Sequence, residues 1–118
     1  MPSERARRRL EDMLENIARI RAHVEDIDID AFLASPLVQD AVERCLERIA
    51  EAARKLGDAY DSEFPDIGLR ELRGFGSVLR HDYDAINPRL IWGFVERRLE
   101  PLEAMAKTAL ARLPVADD

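Results

Sequence analysis

The chain has 118 residues, a formal net charge of -6 at pH 7 and a single cysteine, which excludes an internal disulfide. This length suits one domain with a modest apolar core, so we predict a single helical domain over residues 1–118. The negative charge argues against duplex binding driven by counterion release. Any nucleic-acid contact would have to be local, and we predict no specific DNA binding.

The compartment is predicted from the N-terminal segment and from Cys45. The N-terminus PSERARRRLEDM is charged, and no run approaches the eighteen or so apolar residues that a membrane span needs. Cys45 lies among apolar residues at helical spacing, which is typical of a buried thiol in a reducing compartment. We therefore predict a cytoplasmic protein with no membrane contact.

The composition favours helix throughout the chain. Hydrophobic residues make up 47% and charged residues 36%, whereas there are only five glycines. Such a mixture matches helices with one apolar stripe and a charged outer face. We predict an all-α fold.

The first predicted helix carries a long stripe with alternating spacings of three and four. Its members are Leu10, Met13, Ile17, Ile20, Val24, Ile27 and Ala31. A stripe of this length requires a partner helix. The segment EDIDID, residues 25–30, could end this helix or continue it loosely.

The second predicted helix has clear signals at both ends. Ser35 can cap free amides, and Pro36 suits the first helical position. Gly57 supplies a stop. The polar connection that follows contains Pro65 and could hold a short helical turn.

Two further helices complete the predicted fold. The third begins at about Leu69 and should lose regularity near HDYD, residues 81–84. Asn87 and Pro88 start the fourth, which Pro101 should bend because proline lacks an amide and clashes with the preceding turn. Four main helices with short links, and a short extra one, predict an up-and-down bundle.

The most informative segment for function is FGSVLRHDYDAI, which holds one of the two histidines. At 100° per residue, Gly76, Arg80 and Tyr83 fall in one narrow sector of a helix. Ser77, His81 and Asp84 lie in the adjoining sector. The other histidine, His23, lies on the charged side of the first helix, and we assign it an ordinary surface or interface role.

Gly74 and Gly76 require an explanation, because two glycines in a helix interior cost about 1 to 2 kcal/mol relative to alanine. Tight helix packing at both positions is one explanation. The other is that Gly76 opens room for a ligand or for the Arg80 side chain, since helical side chains lean back over the preceding turn.

Arginine beside histidine suggests phosphate chemistry. An imidazole can exchange a proton near neutral pH, and a guanidinium can stabilise negative charge on a phosphate. The pair would suit RNA cleavage by the ribose 2′-hydroxyl without a metal or cofactor. Two distant histidines and one buried cysteine make a poor metal-ligand set.

The segments RIAEAARKLG and RGFGSVLRHDYDAINPRLIW, in this order around a proline loop, resemble the HepT-like family of the HEPN superfamily. The resemblance extends from about Leu10 to Leu113. The family motif is an arginine, usually followed by asparagine, then a histidine, one residue and a tyrosine. His81, Asp82 and Tyr83 match its second half.

The first half of the motif departs from the family pattern. Counting back from His81 over four intervening residues, the expected arginine is replaced by Gly76, and Ser77 stands in the asparagine position. Arg80, one turn later, could lean back to fill the vacancy, whereas Arg73, one turn earlier, should lean away from His81. The rival interpretation is a lineage that keeps the fold and has lost or altered its nuclease activity.

The resemblance implies a dimeric toxin that cleaves RNA through the arginine and histidine of paired protomers; the histidine is His81, and we predict Arg80 as the substitute for the arginine. It implies neutralisation by an MntA-like nucleotidyltransferase that transfers AMP to Tyr83. Ser77, Asp84, Arg73 and Glu51, which corresponds to a glutamate often found near the family's cleft, would be supporting residues. The alternative is a catalytically inactive HEPN-fold dimer that is a partner or substrate of such a transferase.

Overall fold

A computed structural model of the protein describes residues 2–81 and 86–114, and every regular element in these ranges is helical. The prediction of an all-α bundle is confirmed. The elements are α1 (Pro2–His23), α2 (Ile29–Leu33), α3 (Pro36–Leu56), a 3₁₀ turn (Pro65–Ile67), α4 (Leu69–His81), α5 (Pro88–Arg97) and α6 (Leu99–Arg112). α3 packs against α1 and against α4. α6 also packs against α1, and the short helix α2 packs against α5.

The stripe of α1 is buried as predicted over its first part and then ends earlier than Ala31. Leu10, Met13, Ile17 and Ile20 form the core face of α1. The helix stops at His23, and Ala31 is exposed on the separate helix α2. The reason lies in EDIDID, where Asp26 takes a left-handed φ of 61° and the Asp28 carboxylate caps α2.

Both predicted ends of α3 are confirmed. The Ser35 hydroxyl accepts a hydrogen bond from the Val38 amide at 3.2 Å, and Pro36 occupies the first helical position. Gly57 ends the helix with a φ of 78°, a conformation that side-chain-bearing residues rarely adopt. Between these ends α3 supplies much of the core, including Cys45, and burial raises the pKa of this thiol.

The predicted bent last helix is instead two helices. Asn87 caps α5 as expected, accepting a hydrogen bond from the Arg89 amide at 2.9 Å. The break falls at Arg98 (φ -109°, ψ -21°), three residues before Pro101. Pro101 has no amide to donate to the Arg97 carbonyl, and its ring crowds that carbonyl, so the chain turns there.

Candidate functional site

Gly76 lies close to helix α3 and to the side chain of Arg80. A Cβ at Gly76 would lie 2.6 Å from the Ala50 Cβ on α3 and 3.5 Å from Arg80 Nη1. α3 and α4 therefore meet closely here, and the Arg80 side chain leans back over Gly76. Tight packing against α3 therefore explains Gly76, whereas a Cβ there would meet Arg80 only in an ordinary van der Waals contact. At Gly74 an added Cβ would contact nothing within 4 Å, so tight packing there is wrong.

Glu51 links this position to α3. Its carboxylate accepts from Arg80 Nη1 at 3.4 Å and from Arg54 Nη2 at 2.5 Å. The hydrogen bond from Arg54, with smaller contributions from the charges of Arg54 and Arg80, keeps the pKa of Glu51 below its usual value. Glu51 is thus an ionised carboxylate that positions the Arg80 guanidinium.

His81 and Ser77 lie on the exposed surface of α4. His81 follows Arg80 at the end of the helix, so the imidazole and the guanidinium are neighbours in the chain. Tyr83 and Asp84, the remaining predicted residues of the motif, lie outside the described residues.

Arg73 is held away from this group, as its position one turn before Gly76 predicts. Its guanidinium donates to both carboxylate oxygens of Asp61, at 2.9 and 2.6 Å, and to the Gly57 carbonyl at 3.2 Å. These contacts tie the C-terminal end of α3 to α4. The structure therefore brings Arg80 to the Gly76 position and gives Arg73 a structural contact.

A groove runs between α1 and α3 and reaches Arg80. We call it the α1–α3 groove; its volume is about 680 Å³. Six cationic side chains and four carboxylates line it, in a chain whose overall charge is negative. The cationic side chains are Arg9, Arg19, Arg44, Arg48, Lys55 and Arg80.

Two buried polar atoms in the described part of the chain have no hydrogen-bond partner, and both belong to residues that line this groove. They are Arg9 Nε and Asn16 Oδ1. Asn16 is only 6% exposed, and its Nδ2 donates to the Asp12 carbonyl at 2.9 Å. This bond orients the amide and leaves Oδ1 as a free acceptor.

The described residues contain no cluster of three or more histidine, cysteine or carboxylate side chains that could hold a metal ion. None of the described helices is both long enough and apolar enough to cross a membrane. The remaining His23 is exposed in the last turn of α1, as predicted.

The model of one protein family, described as HepT-like (ribonuclease HepT-like), matches residues 13–109. The chain belongs to the HepT-like family. The match spans α3 and α4 and therefore includes Glu51, Gly76, Arg80 and His81. The family predicted from the RGFGSVLRHDYDAINPRLIW segment is confirmed.

Named HepT-like relatives agree with this assignment. The chain is 32% identical over 87 residues to "Putative RNase MJ1380" of Methanocaldococcus jannaschii, covering 74% of this chain and 80% of the relative. It is 31% identical over 94 residues to "Probable ribonuclease HepT" of Thermococcus cleftensis, covering 80% and 86%. No solved structure matches the chain significantly.

The groove on this HepT-like fold was not predicted from the sequence, although both of its walls carry a periodic signal. On α1, Arg9, Asp12, Asn16 and Arg19 recur at spacings of three and four beside the apolar stripe. On α3, Arg44, Arg48, Glu51 and Lys55 do the same. An asparagine between the buried Met13 and Ile17 was the most specific signal, because a buried amide needs polar partners.

Proposed function

We propose that this HepT-like protein is a metal-independent endoribonuclease in which Arg80 replaces the motif arginine. The observation that carries the proposal is that Arg80 Nη1 lies 3.5 Å from the point that a Cβ on Gly76 would occupy. We take the guanidinium that Glu51 holds beside Gly76 as the replacement for the arginine that the family motif has at this position. The membership of a ribonuclease family supplies the reaction class.

The reaction needs only an imidazole, a guanidinium and the ribose 2′-hydroxyl of the RNA itself. His81 accepts the proton of the 2′-hydroxyl as the 2′-oxygen attacks phosphorus, the P–O5′ bond breaks, and Arg80 stabilises the charge on the non-bridging oxygens. The leaving 5′-oxygen takes a proton from the imidazolium of the second protomer. The products are a 2′,3′-cyclic phosphate and a free 5′-hydroxyl.

This mechanism requires a homodimer, and an apolar surface beside α4 supports one. Phe75 of α4 stacks on Phe94 of α5 with ring centroids 6.1 Å apart, and together with Leu90 they line a groove of about 310 Å³. Leu90 is 65% exposed and Val78 is 39% exposed. Burying these side chains against a second copy would be favourable and would bring two α4 helices together.

We further propose that the protein is a cytoplasmic toxin neutralised by an MntA-like nucleotidyltransferase. Transfer of AMP to Tyr83, two residues after His81, would place negative charge and bulk where an RNA phosphate must approach. The test is incubation with the cognate transferase and ATP followed by mass spectrometry. We expect an AMP-sized increase in the wild type and none in Tyr83→Phe; an adduct that persists in Tyr83→Phe removes the assignment.

The decisive experiment for the activity compares the wild type with His81→Ala. Because His81 is exposed, the substitution should leave helicity and the thermal midpoint unchanged. We expect growth arrest and RNA cleavage with the wild type and neither with the variant. Cleavage that is unaffected by His81→Ala would show that the activity lies elsewhere or comes from a contaminant.

A second candidate function is a non-catalytic helical dimer that is a partner or substrate of the transferase. It is favoured by the glycine at the motif arginine position and by an imidazole that does not line the α1–α3 groove. This candidate predicts AMP transfer to Tyr83 and no RNA cleavage by freshly purified wild-type protein. The two candidates therefore differ in a single assay.

A further inference from the structure

The α1–α3 groove has cations in excess of its own ion pairs. Four of its six cationic side chains each pair with one of its four carboxylates, at 2.9 to 3.5 Å, as in Arg19–Glu15 and Arg80–Glu51. Arg48 and Lys55 have no carboxylate within 4 Å among the described residues. The groove therefore presents two uncompensated positive charges.

The placement of these two charges suits a strand rather than a single small anion. Arg48 and Lys55 are seven residues apart on α3, which corresponds to about 10 Å along the helix axis. Both are exposed. Two cations at this separation suit two phosphates of one chain.

The unpartnered Asn16 Oδ1 indicates what else the ligand must carry. A phosphate has no hydrogen to donate to this acceptor, whereas a ribose 2′-hydroxyl does. The described lining contains no aromatic side chain, so the groove is not built to stack bases. Recognition would rest on the phosphates and on the sugar, whose 2′-hydroxyl distinguishes RNA from DNA.

We propose that the α1–α3 groove binds a segment of single-stranded RNA, with phosphates on Arg48 and Lys55 and a 2′-hydroxyl on Asn16 Oδ1. Arg80 lines the groove and precedes His81, so a strand lying there leads to the proposed cleavage site. This inference rests on the proposed ribonuclease function and assigns it a substrate-binding surface. It also assigns roles to three residues outside the motif.

The test uses the full-length His81→Ala protein, so that binding is measured without cleavage. A fluorescein-labelled oligouridine and the matching oligodeoxyuridine are titrated by anisotropy at several salt concentrations. We expect tighter binding of the ribo-oligomer. The double variant Arg48→Gln/Lys55→Gln should reduce the slope of log K against log salt by about 1.4, because each phosphate contact on a single strand contributes about 0.7.

Asn16→Leu keeps the side-chain shape and removes the acceptor, so it should reduce the preference for ribo-oligomer over deoxy-oligomer by about fivefold. The matched control is Arg70→Gln/Arg89→Gln, which removes two exposed positive charges outside the groove and should change the slope much less. Circular dichroism verifies that each variant is folded. Equal slopes for the two double variants, or an unchanged sugar preference in Asn16→Leu, would overturn the proposal.

Cleavage by the otherwise wild-type chain, measured in parallel, separates this proposal from the proposed function. If cleavage and RNA binding are both insensitive to the groove substitutions, the RNA-binding role of the groove is refuted and the proposed ribonuclease function stands. If RNA binding depends on the groove residues but no cleavage occurs, the RNA-binding role of the groove stands and the proposed ribonuclease function is refuted. Groove variants that change affinity for ATP or AMP alone would assign the groove to a nucleotide instead and overturn the RNA proposal.

Discussion

Arg80 Nη1 lies 3.5 Å from the point that a Cβ on Gly76 would occupy. The two residues are one helical turn apart, and long side chains on a helix lean toward its N-terminus. The glycine at position 76 admits α3, whose Ala50 Cβ would lie 2.6 Å from an added Cβ, and the Arg80 guanidinium lies over the same position at an ordinary contact distance. Arg80 thus lies beside the position at which the family motif has its arginine.

Gly76→Ala should destabilise the fold, because its Cβ would meet the Ala50 Cβ at 2.6 Å and neither backbone can move freely. We expect a loss of about 1 to 3 kcal/mol in urea unfolding, the usual range for overpacking. Gly74→Ala is the matched control, since its Cβ would meet nothing within 4 Å and should stabilise the helix by up to about 1 kcal/mol. Equal effects of the two substitutions would contradict the close helix contact.

The Asp61–Arg73 ion pair should make stability depend on pH. Hydrogen bonding to Arg73 lowers the pKa of Asp61 in the folded state, so the pair stabilises the protein above the unfolded pKa of about 4. This contribution is lost as the pH falls through the lowered folded value. We expect Asp61→Asn to cost about 1 kcal/mol at pH 7, and the difference from wild type to shrink at strongly acidic pH.

The measurement is urea unfolding at a series of pH values. Asp66→Asn removes a nearby exposed carboxylate that makes no ion pair among the described residues, and it gives the effect of charge loss alone. A difference between Asp61→Asn and wild type that grows toward acidic pH would contradict a lowered pKa of Asp61 in the folded protein.

Leu90→Glu should dissociate the proposed homodimer, because it places a charge on the exposed apolar surface beside Phe75 and Phe94. Size-exclusion chromatography with light scattering should show the monomer mass for this variant and the dimer mass for wild type. Leu37→Glu alters another exposed leucine, 80% accessible on α3, and should remain dimeric. A dimer that survives Leu90→Glu would place the interface elsewhere.

The parts of the fold that were predictable from sequence are those fixed by local chemistry. Ser35 with Pro36, Gly57, and Asn87 with Pro88 each satisfy or terminate a helix end within a few residues. The separate α2 was less predictable, because Phe32 is buried by contact with Trp92, whose ring centroid lies 5.2 Å away on α5. Such a contact between distant segments outweighs the periodicity that suggested one long helix.

The candidate site also has one part that local sequence predicts and one part that depends on the packing of distant helices. The return of Arg80 over Gly76 follows from helix geometry and was predicted. The α1–α3 groove was not, because its walls belong to two helices whose rotation about their axes is set by the core. Only with both helices placed do Asn16 and Arg48 become parts of one surface.

The most direct test of the role of Arg80 compares RNA cleavage by Arg80→Gln and Arg73→Gln, with His81→Ala as the inactive reference. We predict that Arg80→Gln stays folded and loses about 10²-fold or more in cleavage rate, as expected when a donor to transition-state charge is removed. Arg73→Gln should unfold more easily, since it loses the bonds to Asp61, and should retain its rate per folded molecule. Full activity in Arg80→Gln together with lost activity in folded Arg73→Gln would contradict the assignment of Arg80.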